Sequence, residues 1–156
     1  MSKQIIPTTE EHILELSQTM RVADVEEIWA ARHSKPYDAL KRGVSMSNEA
    51  FTGLWDDKVV CIFGVAQHTP FTDEGVPWLL ASDLVEKTSH TFLRVNRIYT
   101  KEIKKRYSRL ENYVDCRNTE SIKWLKWLGF KLDPPKPYGP DKLPFCRFEF
   151  KRDEGG

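Results

Sequence analysis

Asn118-Thr119-Glu120-Ser121-Ile122-Lys123-Trp124-Leu125-Lys126-Trp127-Leu128-Gly129-Phe130 reads as one helix with both ends marked. Asn118 can cap the first turn, or it can turn its amide toward a ligand. Gly129 suits the C-terminal turn, because positive φ costs little only without a Cβ. Phe130 then opens a strand. The run just before, Leu110 to Cys116, is short and reads as the strand that leads in.

Working back from that segment, Ser89 to Tyr107 is a long helix. Phe92, Val95, Ile98, Tyr99 and Ile103 line one side, and Arg94, Arg97, Lys101, Lys104, Lys105 and Arg106 crowd the rest. Val76 to Leu84 is an apolar strand. Ala50 to Trp55 and Lys58 to Gln67 flank Asp56-Asp57 as a hairpin. The front begins with a strand at 3–7. A helix follows, capped by Thr8 or Thr9, with Ile13, Leu14 and Leu16 on its apolar side. A second helix fits Ala23 to His33, and Tyr37 to Arg42 adds a turn or two before Gly43 stops it. Beyond Phe130 to Leu132 comes a proline-rich loop, then a last strand, Phe145 to Lys151. The tail 151–156 is expected to fray. This order predicts one α/β (α+β) domain over 1–156, a mixed sheet flanked by helices.

Composition bounds the function. The chain has 156 residues, 40 % apolar and 30 % charged, at a formal net charge of +1. That balance gives no global reason for binding nucleic acid or an anionic membrane. No segment is long enough to span a bilayer, and the first seven residues are too polar for a signal peptide, so a cytoplasmic protein is expected. Cys61, Cys116 and Cys146 are widely spaced with no Cys/His cluster, so no metal site is expected. The four histidines lack partners at a nucleophilic spacing, which excludes a triad.

The segment 118–130 resembles the second motif of the GCN5-related N-acetyltransferase (GNAT) superfamily, N-x-x-A-x-x-L-Y-x-x-x-G-F. Asn118 leads, Ser121 takes the small-residue place, Trp124 the apolar place, and Gly129-Phe130 the end. A narrower resemblance covers Trp78 to Phe150. Trp78-Leu79-Leu80-Ala81-Ser82-Asp83, the basic helix, Leu110-Glu111-Asn112-Tyr113-Val114 and Arg117-Asn118-Thr119 look like the acetyltransferase-like proteins of short-tailed bacteriophages, the family that includes internal virion protein A.

The resemblance implies a mostly antiparallel central sheet and an acyl-CoA-dependent N-acyltransferase using acetyl-CoA. The acceptor would be an amine, on a phage or host protein, in the host cytoplasm or the virion. It places Asn118, Ser121 and the start of the long helix (Thr88, Ser89, His90) on the cofactor. Backbone N–H groups at Leu80, Ala81 and Ser82 would face the thioester carbonyl. Asp83 is the candidate general base, or it caps the turn after its strand. Tyr113 is the candidate acid, because the position of the family's tyrosine falls on Leu125. Glu26 and Glu27 either face what lies over the sheet or form a solvated face. The family's glycine-rich phosphate loop corresponds here to Asp83-Leu84-Val85-Glu86-Lys87-Thr88-Ser89-His90, which has no glycine. That departure sets a second expectation: the fold kept, catalysis lost, and a role in binding a phage or host protein.

Overall fold

The computed structural model describes residues 2–152, apart from the side chain of Ser89. Its elements are β1 (Lys3–Pro7), α1 (Glu10–Thr19), α2 (Val22–Arg32), α3 (Pro36–Met46), β2 (Ser47–Trp55), β3 (Lys58–Ala66), β4 (Glu74–Ala81), α4 (Leu84–Arg106), β5 (Arg109–Asp115), α5 (Thr119–Trp127), β6 (Lys131–Leu132), β7 (Lys136–Tyr138) and β8 (Leu143–Lys151). The sheet runs β1-β2-β3-β4-β5-β8-β6, with β7 also on β8. Every pairing is antiparallel except β4 with β5.

Helices cover both faces. Ile13, Leu16 and Leu40 from α1 and α3 pack on Leu54, Val59, Ile62 and Leu80. On the other face Val85 and Phe92 of α4 meet Val60, Cys61, Phe63 and Ala81. Ile103, Phe130 and Phe148 continue that layer over β5 and β8, with Ile122 and Leu125 of α5 and Leu128 just after it against them.

Local chemistry explains most boundaries. Thr9 and His12 form a reciprocal capping pair at the start of α1. Asp56 and Asp57 both take positive φ, +48° and +64°, the handedness a two-residue hairpin needs. Gly129 at φ +93° ends α5, and the Phe130 N–H reaches back to the Leu125 carbonyl at 3.1 Å.

Four expectations are corrected. Gly43 does not stop its helix. α3 continues to Met46, because the bare Cα admits the Trp78 ring, which a Cβ would meet at 3.1 Å. The proline-rich loop holds a short strand, β7, paired to β8 through Lys136–Tyr138. The end of β8 is held, since Arg152 donates to the carbonyls of Lys104, Lys105 and Tyr107. Residues 153–156 of the expected frayed tail lie outside the described residues. The fourth correction matters most for function: α4 starts at Leu84, five residues before Ser89. Val85, Thr88 and Phe92 share one buried face at helical spacing, so the stretch expected to be a phosphate loop is two turns of helix.

Candidate functional site: a cleft where the sheet splits

β4 and β5 pair only at Glu74↔Arg109 and Gly75↔Leu110, then diverge. Two features of the sequence force this. The even residues of β4 bond toward β3, as the Ser82 N–H does to the Val60 carbonyl at 2.9 Å. The odd residues therefore face β5, and the first in line above Gly75 is Pro77, which has no N–H for a ladder. Its carbonyl accepts from Asn112 Nδ2 at 2.9 Å instead. The same alternation turns the Leu79 N–H into the gap.

Higher up, carboxylates from α2 take the strand N–H groups. Asp24 Oδ2 accepts from the Ala81 N–H at 2.9 Å, and Glu27 Oε1 from the Asp115 N–H at 2.8 Å. Asn118, 2 % exposed, ties the two acids together: its Nδ2 donates to Asp24 Oδ1 at 3.1 Å and to Glu27 Oε1 at 3.3 Å. Arg21, 4 % exposed, donates to Asp24 Oδ1 at 3.3 Å and to Asn118 Oδ1 at 3.2 Å. Its guanidinium also lies over Trp124, 5.2 Å from the ring centre. These groups close the top of the split.

Below this plug is a cleft of about 580 Å³ that passes between the strands. On one face it is lined from α2 and α3 by Glu27, Ile28, Arg32 and Arg42. On the other it is lined from α4 and α5 by Asn96, Thr100, Ser121 and Trp124, and by Leu128 just after α5. Glu27 belongs to this lining, and its Oε2 has no hydrogen-bond partner among the described residues. Burial first, then the negative charge of Asp24, pushes the Glu27 carboxyl up to about 8, against the N–H bonds that hold it down. Burial likewise raises Asp24, outweighing Arg21 beside it.

The expected site residues are not all in one place. Leu80, Tyr113 and Ser121 line the cleft, whereas Ala81, Ser82, Asp83, Thr88, His90 and Asn118 do not. Tyr113 stacks on Tyr138, ring centres 4.2 Å apart, at the α2 side. Asp83 is exposed at the N-terminus of α4 and its side chain makes no cap bond. Thr88 is inside the helix and donates to the Leu84 carbonyl at 2.8 Å, so it caps nothing. His90 is exposed on α4, and the side chain of Ser89 lies outside the described residues. Asn118 starts α5 but its amide makes no cap bond, being fully used by Arg21, Asp24 and Glu27. Arg21 and Asp24 were not singled out as site residues from the sequence, and Glu27 was weighed there only together with Glu26, as facing what lies over the sheet or as part of a solvated face. The available signal was Asp24 and Glu27 three apart on α2, hence on one helix face.

The start of α4 is chemically closed. The Leu84 N–H goes to Ser82 Oγ at 3.3 Å, the Val85 N–H to the Ser82 carbonyl at 3.1 Å, and the Glu86 N–H to the Asp83 carbonyl at 3.2 Å. Ser82 itself is buried and anchored, its hydroxyl donating to the Val59 carbonyl at 2.9 Å. The Glu86 side chain adds negative charge in the first turn. Among the described residues there is no cluster of groups fit to hold a metal ion, and no helix is long and apolar enough to cross a membrane.

No protein-family profile and no curated protein matches the chain. Solved structures do. An N-acetyltransferase from Staphylococcus aureus Mu50 superposes with a TM-score of 0.73 at 14 % identity, covering 97 % of this chain and 99 % of that one. A ribosomal-protein-alanine N-acetyltransferase from Brucella melitensis gives 0.72 at 12 %, over 95 % and 99 %. An acetyltransferase of the GNAT family from Streptococcus pneumoniae gives 0.67 at 11 %, over 97 % and 100 %. The chain therefore has the fold of the GNAT acetyltransferases, over 95 to 97 % of its length.

Proposed function

We propose that this chain transfers an acyl group from a pantetheine thioester to an amine, inside the cleft between β4 and β5. The observation that carries the reading is Glu27: a carboxyl with one oxygen tied to two N–H donors and the other open to the cleft. A general base works best when its pKa lies near the working pH, and Glu27 at about 8 meets that condition. It takes the proton from an amine entering past α2 and β5. The Leu79 N–H donates to an oxygen held in the gap, where little water competes. Tyr113 stands at the entrance and is proposed to orient the acceptor, with Leu80 and Ser121 as further walls.

Acetyl-CoA, the donor the fold implies, fits in part. The cleft suits its acyl-pantetheine arm in volume and in its mainly apolar walls. The pyrophosphate does not fit at the start of α4, where three N–H groups are already bonded and Glu86 repels anions. When bound, the thioester supplies the activated acyl group; positioning and proton removal are left to the chain. The Brucella neighbour's protein-alanine substrate and the resemblance to phage proteins support an acceptor amine on a phage or host protein.

The closed start of α4 and the Arg21 plug favour a second reading, a GNAT fold retained for binding a protein partner without catalysis. Thiol release from acetyl-CoA and from S-acetylpantetheine, with an alanine-initiated peptide as acceptor, separates the two. Turnover that rises with pH through a half-maximum near 8, and that drops by about 10²-fold or more in Glu27→Gln, is expected. Full activity in that variant, or no release from either donor, would sink the catalytic reading.

A further inference from the structure

α4 and α5 carry nine Lys and Arg residues against three carboxylates, in a chain whose net charge is only +1. The excess is not spread evenly. Leu93, Asn96, Thr100 and Ile103 of α4 line the cleft. Arg94, Arg97 and Lys101 form the neighbouring stripe, one residue further round at the same helical spacing. That stripe faces α5, for the Arg97 guanidinium lies 4.8 Å from the centre of the Trp127 ring, and Lys104 Nζ reaches the Leu128 carbonyl at 3.3 Å. Arg94, Arg97, Lys101 and Lys126 are exposed, and none has a carboxylate partner among the described residues. Exposed Trp127 and Ile98 add apolar area to this surface. A basic, partly apolar lip therefore borders the cleft.

The route over the top of the split is shut by Arg21, Asn118 and Trp124, and the start of α4 offers no free N–H to a pyrophosphate. Whatever brings a thioester to this face must come between α4 and α5, past the basic stripe. Coenzyme A brings three phosphate groups and an adenosine, and among the described residues the start of α4 has no free N–H to cradle the pyrophosphate. A pantetheine arm tethered to an acidic protein needs only a narrow path for the arm and a basic surface for its carrier.

We infer that the acyl donor is an acidic carrier protein bearing a 4′-phosphopantetheine thioester, docked on the outer surface of α4 and α5. This rests on the acyl-transfer reading above. The amine nitrogen bonds to the acyl carbon as the carbon–sulfur bond breaks. The proton lost by nitrogen balances the one gained by sulfur, so the products are the amide and the carrier's free thiol.

The test is binding, read by fluorescence anisotropy with an acyl carrier protein loaded with an acetylated 4′-phosphopantetheine arm. Acetyl-CoA and S-acetylpantetheine serve as competitors. The loaded carrier is expected to bind at least ten-fold more tightly than acetyl-CoA, with affinity falling as salt rises. The exposed triple variant Arg94→Glu, Arg97→Glu, Lys101→Glu is expected to lose ten-fold or more for the carrier while binding S-acetylpantetheine as the parent does. Equal or tighter binding of acetyl-CoA, or a triple variant that holds the carrier unchanged, overturns the inference and leaves acyl transfer standing. No binding of any pantetheine thioester overturns both.

Discussion

Replacing Glu27 by Gln tests the electrostatics of the split directly. In the folded chain the Glu27 carboxyl holds its proton up to about pH 8, against an ordinary value of 4.5. Unfolding releases it to water. Between those two pH values the native state binds one proton more than the unfolded state, so stability falls as pH rises, by about 1.4 kcal/mol per unit. The full window would amount to about 5 kcal/mol, but Glu27 is only partly buried and borders the cleft, and a loss of about 2–3 kcal/mol is the realistic size. Glutamine keeps an oxygen for the Asp115 and Asn118 donors and removes the titration. The variant should match the parent near pH 4.5 and exceed it by about 2 kcal/mol at pH 8, leaving only the slope due to Asp24, which burial also raises. Urea unfolding followed by tryptophan fluorescence across pH 5 to 9 reads this. Parallel slopes in the two proteins would refute the placement of a protonated Glu27 in the cleft.

Arg21→Met should be costly. It leaves Asp24 buried at 2 % exposure without a cation, for an expected loss of about 3 kcal/mol in denaturant unfolding; a change below about 1 kcal/mol would mean the plug bears no stress. Gly129→Ala forces a Cβ onto a backbone at φ +93°, and a thermal melt should show about 1–2 kcal/mol lost, whereas an unchanged melt contradicts that turn. The thiols should be sluggish. Burial pushes Cys61 up to about 12 and Cys116 up to about 11, so a disulfide reagent at pH 8 should react quickly only after urea is added, and rapid labelling of the native chain would contradict their placement.

Much of the element order was legible because its punctuation is local. Asp56-Asp57 marks a hairpin, Thr9 with His12 a helix start, and Gly129 a helix end, each through atoms within four residues. The start of α4 was not legible for the same reason inverted. Leu84-Val85 continues the apolar run of β4, and a short apolar run does not by itself distinguish strand from helix. The bonds from Ser82 and Asp83 that turn the chain into α4 depend on Ser82 being anchored to Val59, 23 residues away. The acids of the cleft were hidden further still. Asp24 and Glu27 look like an ordinary polar face until Ala81, Asp115 and Asn118 arrive from 57, 88 and 91–94 residues along the chain.

That long reach says something about how a sheet can be split at all. Two strands that part company expose N–H groups, and a buried unpaired donor costs about 1–3 kcal/mol. Pro77 removes one such donor outright, Asp24 and Glu27 take two more, and Leu79 keeps the one that points into the gap. The carboxyl best placed to accept a proton is therefore also a structural acceptor that holds the gap open. The two roles use different oxygens of the same group, Oε1 for the strand and Oε2 for the cleft. Glutamine should consequently preserve the fold and remove the chemistry, while alanine should damage both by stranding the Asp115 N–H. A chain in which Glu27→Ala unfolds no more easily than Glu27→Gln would show that β5 does not need the carboxyl, and the link between the split and the base would be broken.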